Sequence, residues 1–246
     1  MLPIRDHNPS TRTPYVTWVL IALNILVFLS YWQLFDSPRL LMSFFHEWAL
    51  IPAKLAKLPN SYTLVTSMFL HGGVLHLAGN MLFLWIYGDN LEDTLGHFWF
   101  LMFYLLGGIA AGAVQVMADP WSTTPMVGAS GAIAAVMGGY LVLFPKARID
   151  ILFFIIIFFR IFSLPAWIVL GIWFGIQVIS GVGADPDMGG VAYWAHAGGF
   201  VAGLILILPA FLRRGGNRFW HQTHGKPPNP ETKYSHTNIP VVRRRK

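Results

Sequence analysis

The chain has 246 residues, 55% of them hydrophobic and 11% charged, with a mean hydropathy of +0.54 and a net charge of +6. Soluble domains carry about a quarter charged residues, so this composition describes a polytopic membrane protein rather than a soluble globule. Cysteine is absent, which excludes disulfides and thiolate metal sites and leaves the redox compartment unread.

A polar segment with Arg5 and Arg12 precedes the first apolar run, residues 15–35. That run ends around Tyr31 and Trp32 with no small-x-small cleavage site, so it reads as an uncleaved first span. A membrane helix needs about 20 mostly apolar residues. Further candidates are residues 74–88 with their flanks, 98–117, 129–144, 165–180 and 191–212. The stretch 150–180 is too long for one span and too short for two plus a turn, and Arg160 and Pro165 interrupt it. Residues 151–162 are therefore expected as an interfacial or re-entrant piece, with Pro165 in the first turn of the fifth helix. No internal repeat is evident.

Six spans place both termini on one side. With the N-terminus inside, 14 of the 17 Lys and Arg residues lie inside, and only Arg39, Lys54 and Lys57 lie outside in the long first loop. Nine of those 14 fall in residues 213–246, a stretch that ends Arg243-Arg244-Arg245-Lys246. The expected organisation is an N-terminal cytoplasmic segment (1–14), a six-helix membrane domain (15–212) and a basic, disordered cytoplasmic tail (213–246). The tail suits anionic headgroups. Nucleic acid is not expected as a partner, because no folded scaffold presents the basic residues. With no transit-like leader ahead of residue 15, the expected location is a bacterial plasma membrane.

The fourth span is too short. From Gly131 to Phe144 it runs 14 residues before Pro145 and Lys146. That is roughly 21 Å of helix against a hydrocarbon core of about 30 Å. If Lys146 and Arg148 anchor one end, the other stops inside the membrane, and the preceding loop dips in after it. Irregular backbone at that depth is tolerated beside protein or a water-filled cavity. Ser130 is thus expected on the floor of a wet pocket open to the outer side. It also stands at a helix start, where free N–H groups and the positive dipole end favour an oxyanion. Local features suit an N-cap and a nucleophile alike, and Ser is a preferred cap.

Polar residues inside the other spans are few. His196 lies in the sixth span, and His76 and Asn80 lie four apart on one face of the second. Each reads equally as interhelical hydrogen-bonding glue. Small residues repeat every four positions at Ser130, Ala134 and Gly138, and again at Ala195, Gly199 and Gly203. Packing of those two faces would bring Ser130 to His196, the parts of an acyl-transfer site. No Asp or Glu lies in either span, so the expected unit is a Ser–His dyad. A zinc protease is disfavoured because His46-Glu47-Trp-Ala-Leu50 lacks the second histidine. Asp89 has no evident aspartyl partner, and no phosphate-binding loop is present.

These residues resemble the rhomboid family of intramembrane serine proteases. The match consists of Gly128-Ala-Ser130-Gly131, Ala195-His196-x-x-Gly199 and His76-x-x-x-Asn80. It runs over nearly all of residues 15–212. The resemblance implies an all-α membrane fold, a six-helix bundle with a short central fourth helix and a partly embedded first loop. It implies Ser130 as nucleophile and His196 as general base and then acid. Asn80, His76 and the Ser130 N–H would form the oxyanion hole, with Gly128, Gly131 and Gly199 as structural glycines beside the site. It implies no cofactor and no metal. Substrates would be single-span membrane proteins cut near a small residue, entering from the lipid bilayer near the second and fifth spans. Two positions depart from many relatives. Tyr62-Thr63 stands where Trp-Arg anchors the first loop, and Ala134 stands where an aromatic ring supports the histidine. Two other readings are a catalytically silent rhomboid-like protein that binds membrane clients, and a small-solute transporter. The first usually lacks the serine or histidine. The second wants a discontinuous helix in an inverted half, which is not found.

Overall fold

The structure is a computed structural model that describes residues 2–55, 61–155, 158–183 and 191–227. It is mostly helical, and the six apolar helices follow one another as the hydropathy predicts. They are α1 (Tyr15–Ser30), α5 (Val74–Leu95), α6 (His97–Ala118), α7 (Ser130–Leu143), α8 (Ala166–Gly183) and α9 (Tyr193–Leu206). The helix α10 (Leu208–Arg213) extends α9 beyond a break at Ile207. Pro209 explains the break, since it lacks the N–H and crowds the carbonyl one turn back. Three helices, α6, α8 and the combined Tyr193–Arg213, have the length and hydropathy to cross a membrane alone. Large apolar side chains such as Val19, Leu26, Trp85, Leu106 and Ile179 are exposed around the bundle. In water such a surface would drive association, whereas against lipid tails it needs no cover.

Among its described residues the first loop carries a 3₁₀ turn (Trp32–Asp36) and the short helices α2 (Pro38–Trp48), α3 (Pro52–Leu55) and α4 (Thr63–Thr66). A 3₁₀ turn (Ser67–Phe69) continues α4 and leads to α5, and the chain bends by 96° between Thr63–Phe69 and α5. The loop is anchored without Trp-Arg. The Tyr62 hydroxyl donates to Glu47 O at 2.9 Å and the Thr66 hydroxyl to Trp48 O at 2.6 Å, with the Tyr62 ring edge-on to Trp48.

α7 is the core of the bundle, with ten of its 14 residues buried. Small residues set its contact with α9. A methyl group at Gly199 would collide with the Gly131 carbonyl, one at Gly203 with the Ala135 carbonyl, and one at Gly138 with the Phe200 carbonyl. The contact line on α7 is therefore Gly131–Ala135–Gly138, which keeps Gly138 of the expected line and puts Gly131 and Ala135 in place of Ser130 and Ala134. Alternating steps of four and three follow a 3.6-residue helix better than repeated fours do. Ala134 is fully buried.

Within the stretch expected as an interfacial or re-entrant piece, the described residues form two paired strands. The strands β2 (Arg148–Ile155) and β3 (Phe158–Pro165) pair antiparallel from Arg148↔Pro165 to Ile155↔Phe158. Its β-branched and aromatic residues favour a pleated ladder over a helix. The N-terminal segment adds β1 (Leu2–Asp6) to the other edge of β2. A three-stranded sheet thus sits on the helical bundle, and Pro165 ends β3 just before α8 rather than opening the helix. Asp150 fastens β1, accepting from Arg5 Nη2 and His7 Nε2, both at 2.9 Å. Burial raises the Asp150 carboxyl, but hydrogen bonds from His7, Ser163 and Arg5 outweigh it and hold it below the ordinary carboxylate range.

Two more contacts tie this end of the bundle together. Buried Glu92 on α5 caps α1, accepting from Val16 N–H, Thr17 N–H and the Thr17 hydroxyl at 2.7–2.8 Å. The Asp6 carboxylate accepts from the Tyr140 hydroxyl at 2.7 Å and from Asn90 Nδ2 at 3.1 Å. Burial pushes the Asp6 carboxyl up to about 7; the Tyr140 hydrogen bond opposes this and the Asp89 carboxylate adds to it.

The tail does not begin at residue 213 as a disordered segment. A short helix, α11 (Asn217–Thr223), follows α10. Its Phe219 is buried edge-on to Phe211, and Trp220 Nε1 donates to Val142 O at 2.9 Å. Two aromatic anchors offset the charge of the surrounding sequence. The remainder of the expected tail, 228–246, lies outside the described residues, as do Lys57 and residues 156–157.

Candidate active site

Ser130 is the first residue of α7, not its cap. The capping position is Ala129, no side chain caps the helix, and the first helical bond runs from Ile133 N–H to Ala129 O. The N–H groups of the turn before Ile133 are therefore left without helical acceptors. The loop leading into α7 is laced to the first loop. Leu50 and Met126 exchange both backbone hydrogen bonds at 3.1 and 2.8 Å, Ala53 N–H donates to Ser122 O at 3.0 Å, and Gly128 N–H donates to Ser67 O at 2.9 Å. Gly128 has φ +132°, and a side chain there would run into the His76 ring 2.8 Å away. Glycine is required on both counts.

The Ser130 hydroxyl lies 2.7 Å from His196 Nε2. The other ring nitrogen, Nδ1, lies 2.8 Å from Gln177 Oε1 on α8. An amide oxygen only accepts, so Nδ1 carries the proton and Nε2 is the bare acceptor facing the serine. The amide cannot be reversed without loss, because Gln177 Nε2 donates to Trp173 O at 3.3 Å. The Trp173 ring lies beside the imidazole, with centroids 5.9 Å apart and planes tilted by 34°. From α6, Gln115 Oε1 accepts the Ala195 N–H at 3.1 Å and holds the first turn of α9.

The expected dyad is thus a Ser130–His196–Gln177 chain of hydrogen bonds. The support that Ala134 does not offer comes from α8. Gln177 and Trp173 escaped the sequence reading, although Gln177 is the one amide in the fifth span and was visible as a polar residue at membrane depth. Nothing local tied it to His196, 19 positions away.

A cavity of about 450 Å³ opens over Ser130, lined also by His76, Gly128, Met126, Ala192 and His196. His76 projects into it one turn into α5, with His71 edge-on behind it at 5.2 Å. The His71 backbone is clamped by Tyr31, whose hydroxyl accepts the His71 N–H at 2.7 Å and donates to the His71 carbonyl at 2.9 Å. Asn80 follows His76 by four residues on the same face of α5. It is buried, and its Nδ2 has no hydrogen-bond partner. Asn80 is not among the residues lining the cavity, which on α5 is reached by His76. No group of three or more His, Asp or Glu side chains fit to hold a metal occurs among the described residues.

Chain order, the bent entry to α5, and a serine at the start of a short buried helix facing a histidine from the last span all fit one known architecture. The Rhomboid domain family model matches residues 59–213. The chain belongs to the rhomboid family. Rhomboid relatives include Rhomboid protein 1, mitochondrial, of Saccharomyces cerevisiae, 28% identical over 211 residues, covering 81% of this chain and 56% of that protein. RHOMBOID-like protein 12, mitochondrial, of Arabidopsis thaliana is 28% identical over 218 residues, covering 81% and 59%. Rhomboid protease GluP of Bacillus subtilis is 33% identical over 150 residues, covering 60% and 26%. The chain spans less than two thirds of each of these rhomboid proteins. Rhomboid membership makes it a membrane protein and places its serine–histidine pair in a family that includes a named protease.

Proposed function

We propose that this rhomboid protein is an intramembrane serine endopeptidase that cleaves single-span membrane proteins. The observation that carries the reading is the 2.7 Å contact between the Ser130 hydroxyl and the unprotonated nitrogen of His196, at the floor of a cavity and at a helix start. Ser130 Oγ attacks the scissile carbonyl carbon and passes its proton to His196 Nε2. The carbonyl oxygen takes the negative charge and is met by the Ser130 N–H, Asn80 Nδ2 and His76. Collapse breaks the C–N bond, and His196 returns the proton to the leaving amine. Water, deprotonated by His196, then hydrolyses the acyl-enzyme and frees Ser130. Gln177 holds His196 in the tautomer that both half-reactions need. Gly128, Gly131 and Gly199 let backbone and helices approach closely enough to make the site.

The charge bias of the loops supports both termini on the cytoplasmic side of a cell membrane, with the cavity opening outward. Relatives named mitochondrial show that the family also serves organelles. The test is cleavage of a single-span reporter in proteoliposomes by the wild type, Ser130→Ala and His196→Ala. Both variants are expected to fall to background. Equal cleavage by all three overturns the reading, and a folded wild type that binds the reporter without cutting it favours client binding instead.

A further inference from the structure

At the end of the bundle opposite Ser130, two cavities adjoin and differ in character. The first, about 280 Å³, is polar and is lined by Asn8, Thr11, Arg12, Asn90, Asp93 and Arg214. The second, about 390 Å³, lies between α6 and the α9–α10 junction and is lined by Trp99, Met102, Phe103, Leu106 and Leu206, with Arg213 among its lining residues. They share Thr94 and Arg214. Arg214 is held at the junction: Nη2 donates to Thr94 O at 3.3 Å, and the guanidinium lies 6.0 Å from the Phe219 ring centroid. We propose that the pair forms a binding site for one anionic phospholipid, with the phosphate in the polar cavity and an acyl chain along the apolar one.

Two observations carry this. The charge is unbalanced, with three guanidinium groups, Arg12, Arg213 and Arg214, against the single Asp93 carboxylate. That carboxylate is already engaged by the Thr11 N–H and hydroxyl at about 3 Å and by Arg12 Nε at 3.9 Å. The apolar cavity borders the lipid-facing side of α6, where Leu106 and Trp99 are 51% and 63% exposed. A free phosphate would leave that half empty, and a zwitterionic headgroup would bring a second cation up against the three guanidinium groups. A basic pocket beside a membrane helix suits the headgroup of a lipid whose tail stays at bilayer depth. The site is independent of the Ser130 chemistry and of the residues beyond 227.

The test is native mass spectrometry of the delipidated full chain, equilibrated with equimolar dioleoyl phosphatidylglycerol and dioleoyl phosphatidylcholine. One phosphatidylglycerol is expected to be retained with at least tenfold preference. Arg214→Gln and Arg12→Gln should each reduce that preference at least fivefold. Leu106→Trp, which fills the apolar cavity and leaves every guanidinium in place, should reduce retention by a similar factor. Replacing Arg243, Arg244 and Arg245 with Gln should change nothing. Melting of each variant in detergent without lipid checks the fold, and Leu106→Trp decides the matter if an arginine variant fails to fold. Equal retention of both lipids overturns the proposal. So does a preference that follows the Arg243–Arg245 substitutions rather than the cavity variants, or displacement of the lipid by an equal concentration of glycerol 3-phosphate.

Discussion

Replacing Gln177 with leucine removes the acceptor of His196 Nδ1–H while roughly keeping the side-chain volume. The hydrogen bond is 2.8 Å long and Gln177 is 7% exposed, so water does not readily take its place. A neutral hydrogen bond nets about 1 kcal/mol, and a donor left buried without an acceptor forfeits about 1–3 kcal/mol. The imidazole escapes that penalty by turning, or by moving its proton to Nε2, and either response takes the bare nitrogen away from Ser130. At about 1.4 kcal/mol per tenfold, kcat falls roughly 10- to 100-fold. KM should stay within twofold, because Gln177 does not line the cavity over Ser130. Gln177→Glu keeps an acceptor oxygen and should recover at least a third of the wild-type kcat. The assay is initial rates of reporter cleavage in proteoliposomes across a range of substrate mole fractions. A leucine variant turning over within twofold of wild type refutes the positioning role. A glutamate variant no better than leucine does the same, since it would make the amide's role steric.

Other substitutions test the rest of the framework. Asn80→Ala should lower kcat about 10²- to 10³-fold with an unchanged melting point, if its unpartnered Nδ2 is an oxyanion donor; an unchanged kcat removes it from the site. Gly203→Val drives two methyl groups toward the Ala135 carbonyl and should destabilise the bundle by about 1–3 kcal/mol while abolishing fluorophosphonate labelling of Ser130. Labelling at the wild-type rate would show that the close α7–α9 approach does not set the Ser–His distance. Asp6 is raised to about 7, so the folded chain binds more protons than the unfolded chain between the ordinary carboxylate range and 7. Its contribution to stability is complete below the unfolded value and is lost as pH rises through about 7. Asp6→Asn keeps an oxygen for Tyr140 and Asn90 but carries no charge. It should melt higher than wild type at pH 8, by the equivalent of a few kcal/mol, with a much smaller gain at pH 5. A variant that tracks the wild type at both pH values refutes the assignment.

Much of this protein can be read along the chain because its solvent is lipid. Apolar runs of fixed length disclose the six helices, and a run of only 14 residues ending at Pro145 places Ser130 below the surface. Glycine at 128, 131, 199 and 203 discloses close backbone approach before any partner is known. The sheet was less legible, because the aromatic and β-branched residues of 151–162 suit a lipid interface as well as a strand. Only the ladder from β1 through β2 to β3 discloses the strands. The start of the tail was misjudged for a related reason: charge is counted along the sequence, whereas Phe219 and Trp220 find their cover on Phe211 and Val142. What the tertiary structure alone decided is which residues stand around the histidine. A periodicity argument says that α7 and α9 touch, but not that α8 brings Gln177 to Nδ1. Helix periodicity reports which face is buried, and the partner across that face is set by how the other helices cross it.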